Sequence, residues 1–508
     1  MLATATPPAL HRRPRKRSPA APIRRLGLQT TPGRIRALAA IAVLAIAGFY
    51  IVANIAIGNA RDGLRVIGHD AGPQVLATGD LYFALSDMDS QVANVLLTGR
   101  EHDLGTRQQA LNSYNQDRVK ADRAAMQAAE LSANNPIDQA TVRSVLDRLG
   151  QYELLASRAM VLNEQANHPA GPPPGNVIAV YRQATDLMKL ELLPQAYNLT
   201  LEGGATVREV YAAKRAAVLS SRLWVALAGL AAIAALVGLQ LFVAVRFRRL
   251  VNPALALATL GLIVLSLAAV RLLSGEAVQL QAAKTGGFDS ILTMSRAQAI
   301  SNSLHADESR FLLDPGRADT YSLAYLDKSQ TVLYVPSGNL GEYDTGLNAA
   351  MKAYHANPRS VRSAVICAAL VLKPRSWHSH GCFLGFYGDE ARAHPGPAVA
   401  AVLSRFQQFQ ADDQRVRRLA EAGDTRQATM LLTGRTAGSS GYDFDQYDKA
   451  VVSLIGLHRE TFDQAIRTGD RELGRSILGN WAAVLPLAAL GAVILVGVGV
   501  RARLKEYR

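Results

Sequence analysis

The chain has 508 residues, a formal net charge of +14, a hydrophobic share of 49% and two cysteines. Four uncharged apolar runs of twenty residues or more exclude a wholly soluble protein, because about 20 residues cross the ~30 Å hydrocarbon core as a helix. The excess of base is no nucleic-acid footprint: three short clusters beside those runs carry +15 between them and leave the rest of the chain at −1, so nucleic acid is not an expected partner.

Residues 1–36 hold nine Lys or Arg and no acid among Pro, Ser and Thr, and they read as a disordered basic tail able to rest on anionic headgroups. The first apolar run is 37–57. A cleavable signal peptide is its rival, but the run outlasts a 7–15-residue h-region and no clear A-x-A site follows. Residues 58–222 form a long polar segment. The second run, 223–245, is separated from the third, 250–270, only by RFRR at 246–249, so the pair is a tight membrane hairpin. A second polar segment, 271–480, leads to the fourth run, 481–500, and to RARLKEYR at 501–508. Lys and Arg collect in short cytoplasmic loops. That rule places both termini and the RFRR turn in the cytoplasm and both polar segments outside it.

Each polar segment reads as helices. In the first, Leu81, Leu85, Met88, Val92 and Val95 are spaced 4, 3, 4 and 3, one apolar seam with Asp87, Asp89, Gln91 and Asn94 on other faces. Gly99-Arg100 ends that helix. A second covers about 106–132, ANNPID (133–138) is a turn with an N-cap at its end, and a third reaches about Ala166. HPAGPPPGN (168–176) breaks the chain. A fourth helix starts near Val177 and runs through Gly203-Gly204 towards the second span.

The second segment looks like a diverged copy of the first. VLDRLGQYELLASRA (Val145–Ala159) aligns with VLSRFQQFQADDQRV (Val402–Val416), and Phe444, Tyr447, Val451 and Leu454 repeat the seam spacing. The expected architecture is therefore an all-α membrane protein: four transmembrane helices and two extracytoplasmic antiparallel four-helix-bundle domains, duplicated. The up-down order puts the turns near 99–105, 168–176, 314–319 and 433–443 farthest from the bilayer. Arg100, Glu101, His102, Asp103, Asp314, Arg317, Arg435 and Tyr442 on these tips are the candidate landing surface for a partner.

One stretch breaks the copy: about 357–397 replaces a six-residue turn and holds both cysteines in SAVICAALVLKPRSWHSHGCFLGFYGDE. His378, His380 and Cys382 have a spacing open to a transition metal, but without a second cluster nearby the stretch reads as a loop with no metal. A Cys367–Cys382 disulfide fits an oxidising compartment. Asp307 and Glu308 stand where the first seam has Val92, so a carboxylate facing the core with Arg310 as its partner would be a switch element. A one-residue shift instead puts the pair on the solvated face, and that reading is preferred.

No nucleophile elbow, Walker loop, zinc-protease or Rossmann motif is present, so the chain is expected to be no enzyme and to need no cofactor. The cytoplasmic mass is too small for a catalytic domain, and any output must go to a separate partner. Arg246, Arg248, Arg249, Arg501, Arg503 and Tyr507 are the candidate output residues, headgroup anchoring explaining each arginine singly.

The layout resembles the four-helix sensor domains of chemoreceptors. More closely, LAYLDKSQTVLYVPSGNLGEYD (323–344), SRFQQFQADDQRVRRLAEAGD (404–424), FDQYDKAVVSLIGLHRETFDQAI (444–466) and the terminal RARLKEYR resemble the GlnX family of actinobacterial membrane proteins. That resemblance implies a relay that receives an amino-acid signal from an extracytoplasmic solute-binding lipoprotein and passes it to a soluble Ser/Thr protein kinase. Where the family carries an L-x-N-I-T-F-P-G-E-like run, this chain has FYGDEARAHPGPAVA (386–400). A homodimer remains open as its assembly. A transporter or permease-associated subunit and a structural envelope protein are the other classes the four spans allow, although few polar residues or prolines, among them Gln240, Thr259, Ser266 and Pro486, interrupt the spans.

Overall fold

A computed structural model describes residues 30–99, 104–131, 135–247, 252–356, 385–474 and 480–504. Every regular element among them is helical, as the periodicities require. In chain order they are α1 (Thr31–Arg65), α2 (Gly72–Thr98), α3 (Leu104–Leu131), α4 (Pro136–Ala166), α5 (Gly175–Leu187), α6 (Leu193–Phe247), α7 (Pro253–Gln281) and α8 (Asp289–Leu313). Then come α9 (Ala318–Val332), α10 (Leu340–Ala356), α11 (Gly385–Ala393), α12 (Pro397–Glu421), α13 (Thr425–Thr433), α14 (Ser440–Gly474) and α15 (Trp481–Leu504). Three π-helical turns, Val66–Ala71, Met188–Leu192 and Ala282–Phe288, join α1 to α2, α5 to α6 and α7 to α8. A span, a π turn and a deeply buried helix thus follow one another twice.

Helix ends follow local chemistry. Asn135 caps α4 by accepting from the Ile137 N–H at 3.1 Å, with Pro136 in the first turn where its missing donor costs nothing. Asp424 caps α13 through the Gln427 N–H at 3.0 Å. Gly99 closes α2 with φ +52, and a Cβ there would fall 2.4 Å from the His168 carbonyl oxygen; only glycine fits that approach. The 99 and 168–171 turns therefore do meet, and the Gly171 N–H donates to Leu97 O at 2.9 Å.

The chain divides into two compact units. One comprises residues 1–54, 224–269 and 482–508 and holds the apolar parts of α1, α6, α7 and α15. These four helices are long and apolar enough to cross a membrane. Their outward residues, such as Leu44, Leu241, Leu260 and Ile494, are exposed leucines and isoleucines, a surface made for lipid and not for water. Gln240 donates to Leu255 O at 2.8 Å and to Thr259 Oγ1 at 2.6 Å, so these two span-interrupting residues bond each other across α6 and α7, as polar residues between membrane helices do.

The other unit comprises residues 55–223 and 270–481. The two polar segments, expected as separate bundles, here share one interior. Helices α2 and α8 pack along each other. From Leu85 to Thr98 on α2, and from Ser301 to Arg310 on α8, nearly every residue is buried whichever way it points. Leu81, Leu85, Met88, Val92 and Val95 form the expected core seam, yet Asp89, Gln91 and Asn94 on the other faces are buried too. The cause is the partner helix, which covers the face that a lone four-helix bundle would give to solvent. The core built on α2, α4 and α5 also takes in Leu312, Leu313, Val416, Ala428 and Leu432 from the second segment.

Candidate functional site

The interior shared by α2 and α8 holds charge. Arg310 bonds Asp89 on α2 and Asp307 one turn back on α8, and Lys328 of α9 also bonds Asp307. Asp89 accepts further from Tyr152 Oη at 3.1 Å and Thr185 Oγ1 at 2.8 Å, while Lys189 lies 3.7 Å from Asp307. Arg310, Asp89 and Asp307 are at most 1% exposed. The preferred placement of Asp307 and Glu308 on a solvated face is thus corrected: both point into the core, because α2 occupies the side that spacing alone assigns to water. Arg310 compensates Asp307 as the spacing allowed, and it reaches across to the first segment as well.

Burial raises a carboxyl's pKa, but the charges of Lys328, Arg310 and Lys189 outweigh it and hold Asp307 at about 2. Burial in turn pulls Lys328 down to about 8 against the attraction of Asp307. The next part of α8 behaves oppositely. Burial, with the Asp413 charge next in weight, pushes Glu308 well above the usual carboxylate range. Burial and then the Arg435 charge push His305 down to about 4. His305 Nδ1 lies 3.1 Å from Glu308, Ser440 Oγ is 2.9 Å from the same carboxyl, and the His305 ring stacks on Phe444 at 4.4 Å. Arg417 bonds Asp413 at 2.7 Å and lies over Phe311 and Tyr325. Helix α8 therefore carries the Arg310–Asp307 ion pair and, interleaved with it, the His305–Glu308 pair, whose charged forms burial disfavours. Arg310 Nε and Asn302 Nδ2 are buried without a hydrogen-bond partner, so the network has polar capacity left for another arrangement.

Two further salt bridges tie the segments at their ends. Arg182 holds Asp314 with bonds of 2.7 and 2.6 Å, and Arg317 holds Asp186 at 3.0 Å. Of the candidate tip residues, Asp314 is buried and Arg317, Arg435 and Tyr442 are half-buried, Arg435 being paired with Asp445 at 2.9 Å. Arg100, Glu101, His102 and Asp103, Cys367, Cys382 and the HSHGC stretch, and Arg248, Arg249 and Tyr507 lie outside the described residues. Arg246 and Arg501 are exposed on the last turns of α6 and α15, and Arg503 falls within α15.

A cleft of about 430 Å³ opens between α2, α3, α8 and α14. Asp80, Lys120, Arg123, Gln127, Gln298 and Arg459 line it, so it offers both signs of charge. Beneath it, Lys120 bonds Asp117 at 2.7 Å and Gln298 bonds Asp448 at 2.7 Å. Burial and then the Asp117 charge raise the Asp87 carboxyl well above its ordinary value.

Periodicity found neither Asp89 nor the cleft. Asp89 looked like an ordinary outward acid, and its only signal was the run of polar residues on both α2 and α8 opposite good seams. No curated protein and no solved structure matches the chain. The motifs that carry the resemblance to actinobacterial membrane proteins lie in the second segment and the C-terminal tail, whereas the family-model match lies in the first segment. Residues 63–212, which contain Asp89, Tyr152, Thr185 and Lys189, match the family model described as Actinobacterial sensor domain.

Proposed function

We propose that the chain is a transmembrane relay: it receives an extracytoplasmic amino-acid signal, delivered by a solute-binding lipoprotein, and hands it to a cytoplasmic Ser/Thr protein kinase without catalysing a reaction itself. The observation that carries this reading is the Asp89–Arg310–Asp307–Lys328 network, which joins the sensor-matched residues to the second segment through buried charge. A buried ion pair contributes little net stability but enforces one arrangement strongly, because separating the partners leaves a charge stranded. Such a network suits an element with two discrete arrangements, which is what a relay needs. Helix α6, unbroken from Leu193 to Phe247, supports the route by which a shift would reach RFRR, and α15 leads to RARLKEYR.

The test is phosphorylation of the kinase substrate in cells with and without external aspartate or glutamate. Intact protein should give an amino-acid-dependent rise. Deleting Leu504–Arg508 should remove the rise while leaving membrane insertion and lipoprotein capture unchanged. No response in the intact protein returns the chain to the structural class. A normal response in the deletion moves the output to the RFRR turn.

The cleft favours a second reading, direct binding of a small zwitterion, since Asp80 offers an acceptor for an ammonium and Lys120, Arg123 and Arg459 offer donors for a carboxylate. Calorimetric titration of the purified chain with amino acids separates the two: heat that Arg459→Ala and Lys120→Ala abolish assigns the ligand to the cleft, and no heat leaves delivery to the lipoprotein.

A further inference from the structure

Away from the charge network, Glu390 near the end of α11, His394 just beyond it and His458 on α14 converge. A carboxylate oxygen and one nitrogen from each imidazole all lie within 4.8 Å of one another. Glu390 Oε1 is 2.7 Å from His458 Nε2 and 3.1 Å from His394 Nδ1. Glu390 and His458 are buried and His394 is half-buried, so the cluster is walled on one side and open on the other.

Two details separate this cluster from a hydrogen-bonded surface group. His394 Nδ1 is shielded from solvent and 3.1 Å from the carboxylate, yet the geometry makes no hydrogen bond, so this buried ring nitrogen is left for another partner. His458 Nδ1 stands 3.2 Å from the Gly286 carbonyl. Donating there leaves the lone pair on Nε2, which faces Glu390; a ring nitrogen anchored on a backbone carbonyl is how metal-bound imidazoles are oriented. The π turn that supplies this carbonyl is drawn tightly onto α14: a Cβ at Gly287 would fall 2.6 Å from the Phe462 Cβ.

We propose that Glu390, His394 and His458 form a binding site for a divalent transition metal of the Zn²⁺ class. Two imidazoles and one carboxylate with an open position are a donor set that Zn²⁺ accepts, and they are too few in oxygen for Ca²⁺ or Mg²⁺. Bonds of 2.0–2.2 Å put tetrahedral ligand atoms about 3.3–3.6 Å apart, so Glu390 and His458, now 2.7 Å apart, need to part by roughly 0.6–0.9 Å. The ion would displace the proton they now share and fasten α11 and the turn after it to α14. The HSHGC stretch, which reads as a loop with no metal, supplies none of the three residues. The signal for this site is the E-x-x-x-H spacing of Glu390 and His394, one helical turn, whose third member comes 64 residues later.

The test uses the full-length protein in detergent, purified through a tag without histidine, with His378, His380 and Cys382 replaced by alanine so that the preceding stretch contributes no ligand. After chelator treatment it is titrated with Zn²⁺ against a chromophoric chelator, and with Co²⁺ by visible absorption. The expected result is one equivalent of Zn²⁺ that raises the melting temperature, and a Co²⁺ spectrum of a four- or five-coordinate site. Glu390→Gln and His394→Ala should each weaken binding at least tenfold. Should a variant misfold, the Co²⁺ spectrum of the unaltered triad still decides. No stoichiometric metal in that protein, or an equivalent that both variants leave unchanged, overturns the proposal.

Discussion

Arg310 faces two carboxylates at once, and the consequences of removing it differ for each. Asp307 keeps Lys328 and Lys189, whereas Asp89 is left with only Tyr152 and Thr185 as donors. Breaking one side of a buried pair costs about 3–5 kcal/mol because the survivor stays charged out of water. Arg310→Met should therefore lower unfolding stability by about 3 kcal/mol, and adding Asp89→Asn should recover more than half of the loss. Equal stability of the single and double variants in thermal melts would separate Asp89 from Arg310. Two carboxylates of this interior, Asp307 and Asp412, have opposite pH responses. Asp307, held at about 2 against an ordinary 3.8, contributes stability that is complete above about pH 4 and lost as pH falls towards 2. At roughly 1.4 kcal/mol per pKa unit this is about 2–3 kcal/mol. Asp412 is raised to about 7 by burial and then by Asp443, so its contribution is present below about pH 4 and fades as pH rises through 7. Asp412→Asn should gain stability relative to the parent between pH 5 and 8. A constant difference across that range would show that Asp412 does not titrate there.

The helices themselves were largely legible in the sequence. The seam of α2, the end at Gly99, the break at 168–176 and the uninterrupted run through Gly203-Gly204 all follow from spacing, caps and proline. The seam of α14 reads the same way, with Phe444, Tyr447, Val451 and Leu454 all buried. The burial of Asp89, Asp307 and Glu308 was not legible, since a periodic seam marks one face and cannot reveal a second partner on the opposite one. Register errors of one residue add to that ambiguity. At the end of α2, Gly99→Ala tests how tightly the turns are joined. Its Cβ would collide with the His168 carbonyl at a left-handed φ, so a loss of about 2 kcal/mol or more is expected. A neutral substitution would mean that the turns do not meet.

For the whole molecule, four apolar helices were readable from composition alone, while the merging of the two polar segments was not, because nothing local encodes a contact between positions 215 residues apart such as Asn94 and Ser309. The charge asymmetry makes a testable statement about orientation. Reporter fusions after Arg249 and Arg508 should report cytoplasm, and fusions after Gly171 and Ser439 the other side; an outward Arg249 reverses the arrangement. A relay through the buried charges needs α2 and α8 to form one interior, and a crosslink reads that contact most directly. An ideal Cβ at Gly79 stands 3.9 Å from the Cβ of Ser295, within the roughly 3.5–4.5 Å that a disulfide spans. Gly79→Cys and Ser295→Cys are placed in a chain with Cys367 and Cys382 changed to Ser and a protease site set into the 246–249 turn. After oxidation and cleavage, the two halves should stay joined on a non-reducing gel and separate when reductant is added. Halves that separate without reductant would contradict a shared core.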